Sequence, residues 1–148
     1  MNENVANANV MVRSYAQWVR MEIHAENTNL KVQNLVKGWG KFHVDGDKNR
    51  EISPTDVNNR TILSGESYVI SACGRSGAGS GTDGNFDLFD GEVKVGNYHW
   101  SCPWGSKPNE STWTPAETAG DAYEVTVKGA NLDSGALGNI TIVCTKKV

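Results

Sequence analysis

The stretch YAQWVRMEIH, residues 15–24, alternates apolar and polar side chains with a period of two. One face of the extended chain carries apolar side chains, which are Tyr15, Val19, Met21 and Ile23. The other face carries mostly polar side chains, which are Trp18, Arg20, Glu22 and His24. Such alternation is typical of a β-strand with one buried face. The stretch therefore predicts a sheet protein with this strand against its core.

Further short segments show strand patterns, at residues 30–32, 41–44, 67–74, 86–89, 92–100, 123–128 and 140–145. Glycine-rich turn signals separate them, such as VDGDKN and NLDSGALG. Short strands between such turns are typical of an antiparallel sandwich or barrel, and no helix of ten residues is predicted. We therefore expect one all-β domain over residues 14–148, with residues 1–13 as a polar arm. The alternative for the arm is an edge strand that uses Val10 and Val12.

Composition excludes several functions and sets the expected compartment. The net charge of −3 gives no basic field for nucleic acid or for non-specific binding to anionic lipid. No run approaches the roughly 18 apolar residues that span a bilayer, and no secretory signal is evident, which predicts synthesis in the cytoplasm. Three cysteines, Cys73, Cys102 and Cys144, are too few and too widely spaced for a disulfide framework. They are predicted to be buried thiols, with one bridge as the alternative.

No motif predicts catalysis, a metal or a cofactor. GSGTDG, residues 79–84, matches a dinucleotide fingerprint, but a strand pattern follows where a helix is needed, which favours a flexible hairpin loop. DGDKNRE, residues 45–51, begins like a calcium loop but has Arg50 at the glycine position, which favours a solvated turn. His24, His43 and His99 are isolated in sequence. Folding could still pair His43 with Cys73, so an enzyme stays the minor alternative.

The tryptophans are the chain's most informative feature. Trp39 lies in KGWGK, and YHWSCPWGSK at residues 98–107 holds Trp100 and Trp104 among residues that break strands. Indole rings suit the membrane–water interface, and their faces attract quaternary ammonium groups. Two or three exposed rings would suffice for reversible docking on a headgroup without net positive charge. The alternative is that the rings cap the ends of a small core.

Several motifs together resemble the aegerolysin family, in the same order and at similar spacing over residues 14–147. They are YAQWV, WGKFHVDGDK, ACGRS, FDL, WSCPWGSK and NLDSGALGNITI. The resemblance implies an actinoporin-like β-sandwich that binds membrane sphingolipids, such as ceramide phosphoethanolamine or sphingomyelin, in some members together with cholesterol. It also implies the small targeting component of a two-component cytolysin, with roles in cytolysis and hemolysis. The larger partner, of the membrane-attack-complex/perforin class, forms the pore, and some bacterial members belong to binary insecticidal toxins.

The family's lipid-contacting tryptophans match Trp39 and Trp104, and a lysine of that region matches Lys107. Two positions depart: the family's tyrosine falls on His99, and a loop glutamate falls on Ser80. Because a phenol and an imidazole bind phosphate differently, the preferred headgroup stays open. The candidate lipid-binding residues are Trp18, Trp39, Ser80, Tyr98, His99, Trp100, Trp104 and Lys107.

Strand parity places His99 on the face opposite Tyr98 and Trp100, so only one of these sets can point at a common pocket. We expect the protein to act outside the producing cell, at a target membrane. A soluble module that recognises a receptor or a glycan with the same rings is the alternative. Exposed aromatic surface and unpaired sheet edges also allow a homodimer.

Overall fold

A computed structural model describes residues 14–77, 79–117 and 120–148, so the predicted arm lies outside the described residues. Within these ranges the chain forms eleven strands: β1 Trp18–Glu26, β2 Leu30–Lys37, β3 Lys41–Val44, β4 Asp47–Ile52, β5 Thr61–Ile62, β6 Ser67–Cys73, β7 Thr82–Asp90, β8 Val93–Cys102, β9 Glu110–Pro115, β10 Tyr123–Lys128 and β11 Gly138–Lys146. A one-turn helix, α1 (Pro54–Val57), and a 3-10 turn at Gly120–Ala122 lie between strands, and residues 14–16 before β1 are helical. No helix among the described residues is long and apolar enough to cross a membrane.

The strands form two sheets that pack as a sandwich, which confirms the predicted fold class. The six-stranded sheet has the order β10-β11-β1-β6-β3-β4, and the five-stranded sheet has the order β5-β2-β7-β8-β9. Neighbouring strands are antiparallel except β1 and β11, which pair in parallel with Met21 opposite Ile140. The two strands nearest the ends of the described chain thus lie side by side in the middle of one sheet.

The core lies between the sheets and follows the predicted alternation. Val19, Met21 and Ile23 are buried on the inner face of β1. Tyr15, which was predicted on the same face, lies before the strand, and its hydroxyl donates to Asn49. From the facing sheet, β7 and β8 contribute Phe86, Leu88, Tyr98 and Trp100, all fully buried.

Three strands that the pattern did not predict, β4, β5 and β9, lie at sheet edges. β4 forms from DKNREI, which was predicted as a solvated turn, and it pairs only with β3 in its sheet. β9, ESTWTP, pairs with β8 and places Trp113 opposite Tyr98. An edge strand takes its hydrogen bonds from one neighbour and exposes much of its surface, so it needs no regular apolar alternation.

The three cysteines are buried and unpaired, as predicted. Burial raises the pKa of Cys73 and of Cys102, and raises that of Cys144 to about 11. His43, the proposed partner of Cys73, instead directs Nδ1 to the Val44 carbonyl at 2.7 Å. Burial also lowers the pKa of this imidazole. The thiols are therefore protonated packing groups, without the thiolate that nucleophilic chemistry requires.

Candidate functional site

A cavity of about 410 Å³ opens at the end of the sandwich where β3 and β7 begin and β8 ends. Three loops surround it: the β2–β3 loop, the glycine-rich loop before β7, and the loop after β8. Its lining residues are Trp39, Gly79, Ser80, Gly81, Thr82, Asp83, Ser101, Pro103, Trp104 and Lys107. Four of the predicted site residues, Trp39, Ser80, Trp104 and Lys107, therefore lie in one cavity.

The alternation along β8 decides which of the remaining candidates face this cavity. Tyr98, Trp100 and Cys102 point inward and are fully buried, whereas Ser101 points outward and lines the cavity. His99 shares the outward parity of Ser101, two residues away, and pairs with Asn85 on β7. Its Nδ1 lies 3.8 Å from a carboxylate oxygen of Glu110. His99 therefore lies on the cavity's side of the sheet without lining the cavity.

Tyr98 and Trp100, both predicted as lipid contacts, are instead core residues. The indole N–H of Trp100 donates to Thr82 Oγ1 at 3.1 Å, and its ring centroid lies 6.0 Å from that of Phe42 in the other sheet. The Tyr98 hydroxyl lies 2.8 Å from that of Ser111, and burial raises the pKa of Tyr98 to about 12. With no exposed surface, the two rings support the hairpin beneath the cavity.

The sequence GSGTDG serves the packing of β7 on β8. A Cβ on Gly84 would lie 2.6 Å from the Trp100 ring, so a side chain at this position would displace that ring. The strand begins at Thr82, directly after the loop residues that line the cavity. A loop is thus present at Gly79–Gly81, but the predicted hairpin is wrong, because this loop joins β6 of one sheet to β7 of the other, and the last residues of the motif belong to β7.

Trp39 is held by its backbone while its ring stays in solvent, with 71% of the residue exposed. The Trp39 N–H donates to Asp83 Oδ1 at 2.5 Å, and the Gly38 N–H donates to the Asp83 carbonyl at 2.9 Å. A Cβ on Gly38 would lie 2.3 Å from Asp83 Oδ1, so the glycine permits this approach. The β2–β3 loop is therefore fixed to β7, and it presents the indole at the rim of the cavity.

Trp104 and Lys107 reach the cavity from the loop after β8. Trp104 is half-buried, and its ring lies 3.9 Å from the position that a Cβ of Gly79 would occupy. Lys107 is exposed. Among the described lining residues, Lys107 carries the positive charge and Asp83 the negative charge. The site thus combines two indoles with one cation and one anion.

Trp18 lies elsewhere, on the outer face of the six-stranded sheet. It borders a second cavity of about 490 Å³, where the Lys48 ammonium lies 5.3 Å from the Trp18 ring centroid. In the same cavity Arg20 Nε lies 3.0 Å from Asp45, and this hydrogen bond lowers the pKa of Asp45. The calcium-like sequence therefore forms an ion-paired hairpin, and the described residues contain no group of three acidic, histidine or cysteine side chains that could hold a metal.

Asp83, Ser101 and Pro103 line the cavity but were not among the predicted site residues. Asp83 was hidden because GSGTDG was considered only as a loop or a nucleotide fingerprint. The sequence does contain a signal for Asp83. It is the one acid among small residues at the beginning of a strand, where its side chain can face a neighbouring loop. Which loop it faces depends on the pairing of β2 with β7, where Lys37 lies opposite Gly84.

Comparison with known proteins agrees with this architecture. The aegerolysin family model matches residues 16–147. Aegerolysin Aa-Pri1 of Cyclocybe aegerita is 43% identical over 91% of this chain and 94% of its own length, and ostreolysin A6 of Pleurotus ostreatus is 44% identical over 90% and 98%. The crystal structure of IP-1A from Alcaligenes faecalis superposes with a TM-score of 0.87, with 44% identity over 95% of this chain and 98% of that one. The chain therefore belongs to the aegerolysin family, whose members are lipid-binding proteins without enzymatic activity.

Proposed function

We propose that this chain binds sphingolipid-containing membranes through the cavity at the loop end of the sandwich. The observation that carries the proposal is the convergence there of exposed Trp39, half-buried Trp104 and Lys107 from separate loops. Indoles favour the headgroup level of a bilayer, and a lysine beside them can contact a lipid phosphate. One end of the molecule therefore offers both an apolar and an ionic contact to the same lipid.

Recognition of this kind depends on the headgroup and little on membrane charge. The chain carries a net charge of −3, so an anionic surface repels it overall. A ring buried at headgroup level contributes about 1.5–3 kcal/mol through its apolar area, and a cation–π contact adds roughly 0.5–2 kcal/mol. Two rings therefore supply most of the free energy for reversible docking.

We further propose that the bound chain is the small targeting component of a two-component cytolysin. It would act outside the producing cell and recruit a larger partner of the membrane-attack-complex/perforin class to the target membrane. Relatives are named ostreolysin A6 and Asp-hemolysin, and this naming supports a lytic setting. We propose specifically that this cytolysin is a binary insecticidal toxin. Binding of the chain to vesicles of insect-gut lipids would test this part of the proposal.

The preferred headgroup is a separate question, because this chain differs from the family at two positions of the lipid site. Ser80 lines the cavity where the family carries the glutamate linked to sensing of sphingomyelin with cholesterol, and His99 stands beside the cavity in place of a tyrosine. Loss of that glutamate removes a reason to expect dependence on cholesterol. Ceramide phosphoethanolamine and sphingomyelin are therefore both proposed ligands.

The direct test is sedimentation with vesicles of phosphatidylcholine alone, or with added sphingomyelin or ceramide phosphoethanolamine, each with and without cholesterol. We expect binding to at least one sphingolipid mixture and none to the matrix alone. Dye release should then need a large partner, sought in the neighbouring reading frames of the genome. No binding to any mixture would overturn the proposal. Saturable binding to a lipid-free receptor or glycan that Trp104→Ala abolishes would favour a recognition module instead.

A further inference from the structure

The cavity holds two charged side chains that neutralise no other group of the described protein. Asp83 lies within 4.0 Å of no lysine, arginine or histidine nitrogen of the described residues, and Lys107 lies within that distance of no carboxylate. The other two acids of β7 are paired, Asp87 with Lys94 at 3.5 Å and Asp90 with Lys146 at 3.0 Å. Asp83 and Lys107, neither of which has an ion-pair partner among the described residues, thus line one cavity.

Asp83 is positioned for a ligand. Its Oδ1 accepts the Trp39 N–H, and this hydrogen bond fixes the carboxylate at the base of the Trp39 loop. An ionised carboxylate has about four acceptor sites on two oxygens, so most of its hydrogen-bonding capacity remains available. The carboxylate lines the cavity together with the Trp39 ring, whose face also attracts cations.

We propose that Asp83 receives the cationic end of a zwitterionic phospholipid headgroup while Lys107 contacts its phosphate, which makes Asp83 a specificity-determining residue of this chain. This inference rests on the proposed function and assigns one residue within it. The sequence resemblance carries no role for this position. Phosphoethanolamine and phosphocholine both present an ammonium group next to a phosphate, so the proposed ligand is a zwitterionic headgroup with an anionic phosphate and a terminal ammonium group.

The consequence is discrimination against headgroups that carry phosphate alone. Ceramide phosphate can still contact Lys107, but it brings its negative charge beside Asp83 without an ammonium group to pair with that carboxylate, and this repulsion lowers its affinity. Asp83 is half-exposed, so solvent and salt weaken the effect. We expect wild-type protein to favour a zwitterionic sphingolipid over ceramide phosphate by about tenfold at low salt, and by less at high salt.

Two substitutions separate the charge of Asp83 from its role in holding the Trp39 loop. Asp83→Asn keeps an oxygen that can accept the Trp39 N–H but removes the charge. Asp83→Ala removes both. Glu92→Gln is the matched control, because Glu92 is an exposed acid in the β7–β8 turn, at the far end of the hairpin from the cavity.

The experiment measures binding of the full chain to vesicles that contain sphingomyelin, ceramide phosphoethanolamine or ceramide phosphate in one phosphatidylcholine matrix. Asp83→Asn should bind the zwitterionic lipids several-fold more weakly and ceramide phosphate more tightly, so the wild-type preference disappears. Asp83→Ala should also bind all three lipids more weakly, since the Trp39 loop is released. Glu92→Gln should match the wild type.

The outcomes are distinguishable from failure of the proposed function. If Asp83→Asn keeps the wild-type ratio between zwitterionic lipids and ceramide phosphate, the role of Asp83 is refuted and lipid binding stands. If wild-type protein binds no sphingolipid vesicle, the proposed function fails, and Asp83 is judged by calorimetry with soluble phosphocholine, phosphoethanolamine and inorganic phosphate. A zwitterion preference that Asp83→Asn removes would then support the assignment, and its absence from the wild type would overturn it.

Discussion

Replacing Trp39 by alanine should weaken membrane binding and leave the fold intact. The two effects separate because the Trp39 loop is held through backbone groups. The Trp39 N–H donates to the Asp83 carboxylate, and the Gly38 N–H donates to the Asp83 carbonyl. The indole contributes little to core packing, since 71% of the residue is exposed. Surface substitutions of this kind usually change stability by about 0.5 kcal/mol or less.

The expected loss of binding follows from the exposed area. A tryptophan side chain can bury about 250 Å², so the exposed fraction leaves roughly 180 Å² to be removed from water. At about 25 cal/mol per Å², full burial would contribute about 4.5 kcal/mol, and half-burial at the headgroup level about 2 kcal/mol. A difference of 2 kcal/mol corresponds to a decrease in the partition coefficient of roughly 30-fold.

The assay is sedimentation with vesicles of whichever sphingolipid mixture binds the wild type, alongside thermal unfolding followed by circular dichroism. Leu63→Ala is the matched control, because Leu63 is 50% exposed in the loop before β6, at the opposite end of the sandwich. The control should bind like wild type. A Trp39→Ala protein that binds within twofold of the wild type would refute membrane contact by this ring. A large decrease in Tm would refute its structural independence.

Three further outcomes test the core, a buried histidine and the thiols. Tyr98→Phe should lower the free energy of unfolding by about 1 kcal/mol, since it removes the hydroxyl that meets Ser111, and should leave lipid binding unchanged. Because burial lowers the pKa of His43, the unfolded chain gains a proton that the folded chain lacks, so stability should decrease as pH falls below about 6.5. Urea unfolding at pH 8 and pH 5.5 measures this decrease, and His43→Asn should reduce it. Ellman's reagent should label none of the three cysteines before unfolding, and reducing agent should leave Tm unchanged.

The sandwich was predictable because most interior strands alternate cleanly. β1 buries every second residue from Val19 to Ala25, as its sequence indicates. β4 and β9 escaped prediction because they expose most of their side chains and show no apolar period, and β5 escaped because it is only two residues long. The parallel pairing of β1 with β11 joins segments more than a hundred residues apart, and local patterns cannot specify such a contact.

The site was predictable as a set of loops and only in part as a set of residues. Glycine, proline and lysine around Trp39 and Trp104 indicated loop positions, and the structure brings both rings to one cavity. Parity showed that Tyr98 and His99 face opposite ways but not which face holds the cavity. That choice depends on which side of β8 meets the other sheet, and the contact of Trp100, which shares the parity of Tyr98, with Phe42 of the other sheet identifies that side, with 6.0 Å between the ring centroids. The position of Asp83 beside the Trp39 loop likewise depends on the pairing of β2 with β7, which the local sequence does not specify.

The crowding of rings in YHWSCPWGSK reflects two tasks that strand alternation keeps apart. Inward positions hold Tyr98, Trp100 and Cys102 in the core, where no change of headgroup can reach them. Because these residues fix the end of β8, the loop after Cys102 starts from a defined position, and half-buried Trp104 lies at the cavity two residues further on. Changes in lipid preference should therefore concentrate at outward or loop positions such as Ser80, Asp83 and His99. Substitutions at inward positions should change stability first, and binding only through unfolding.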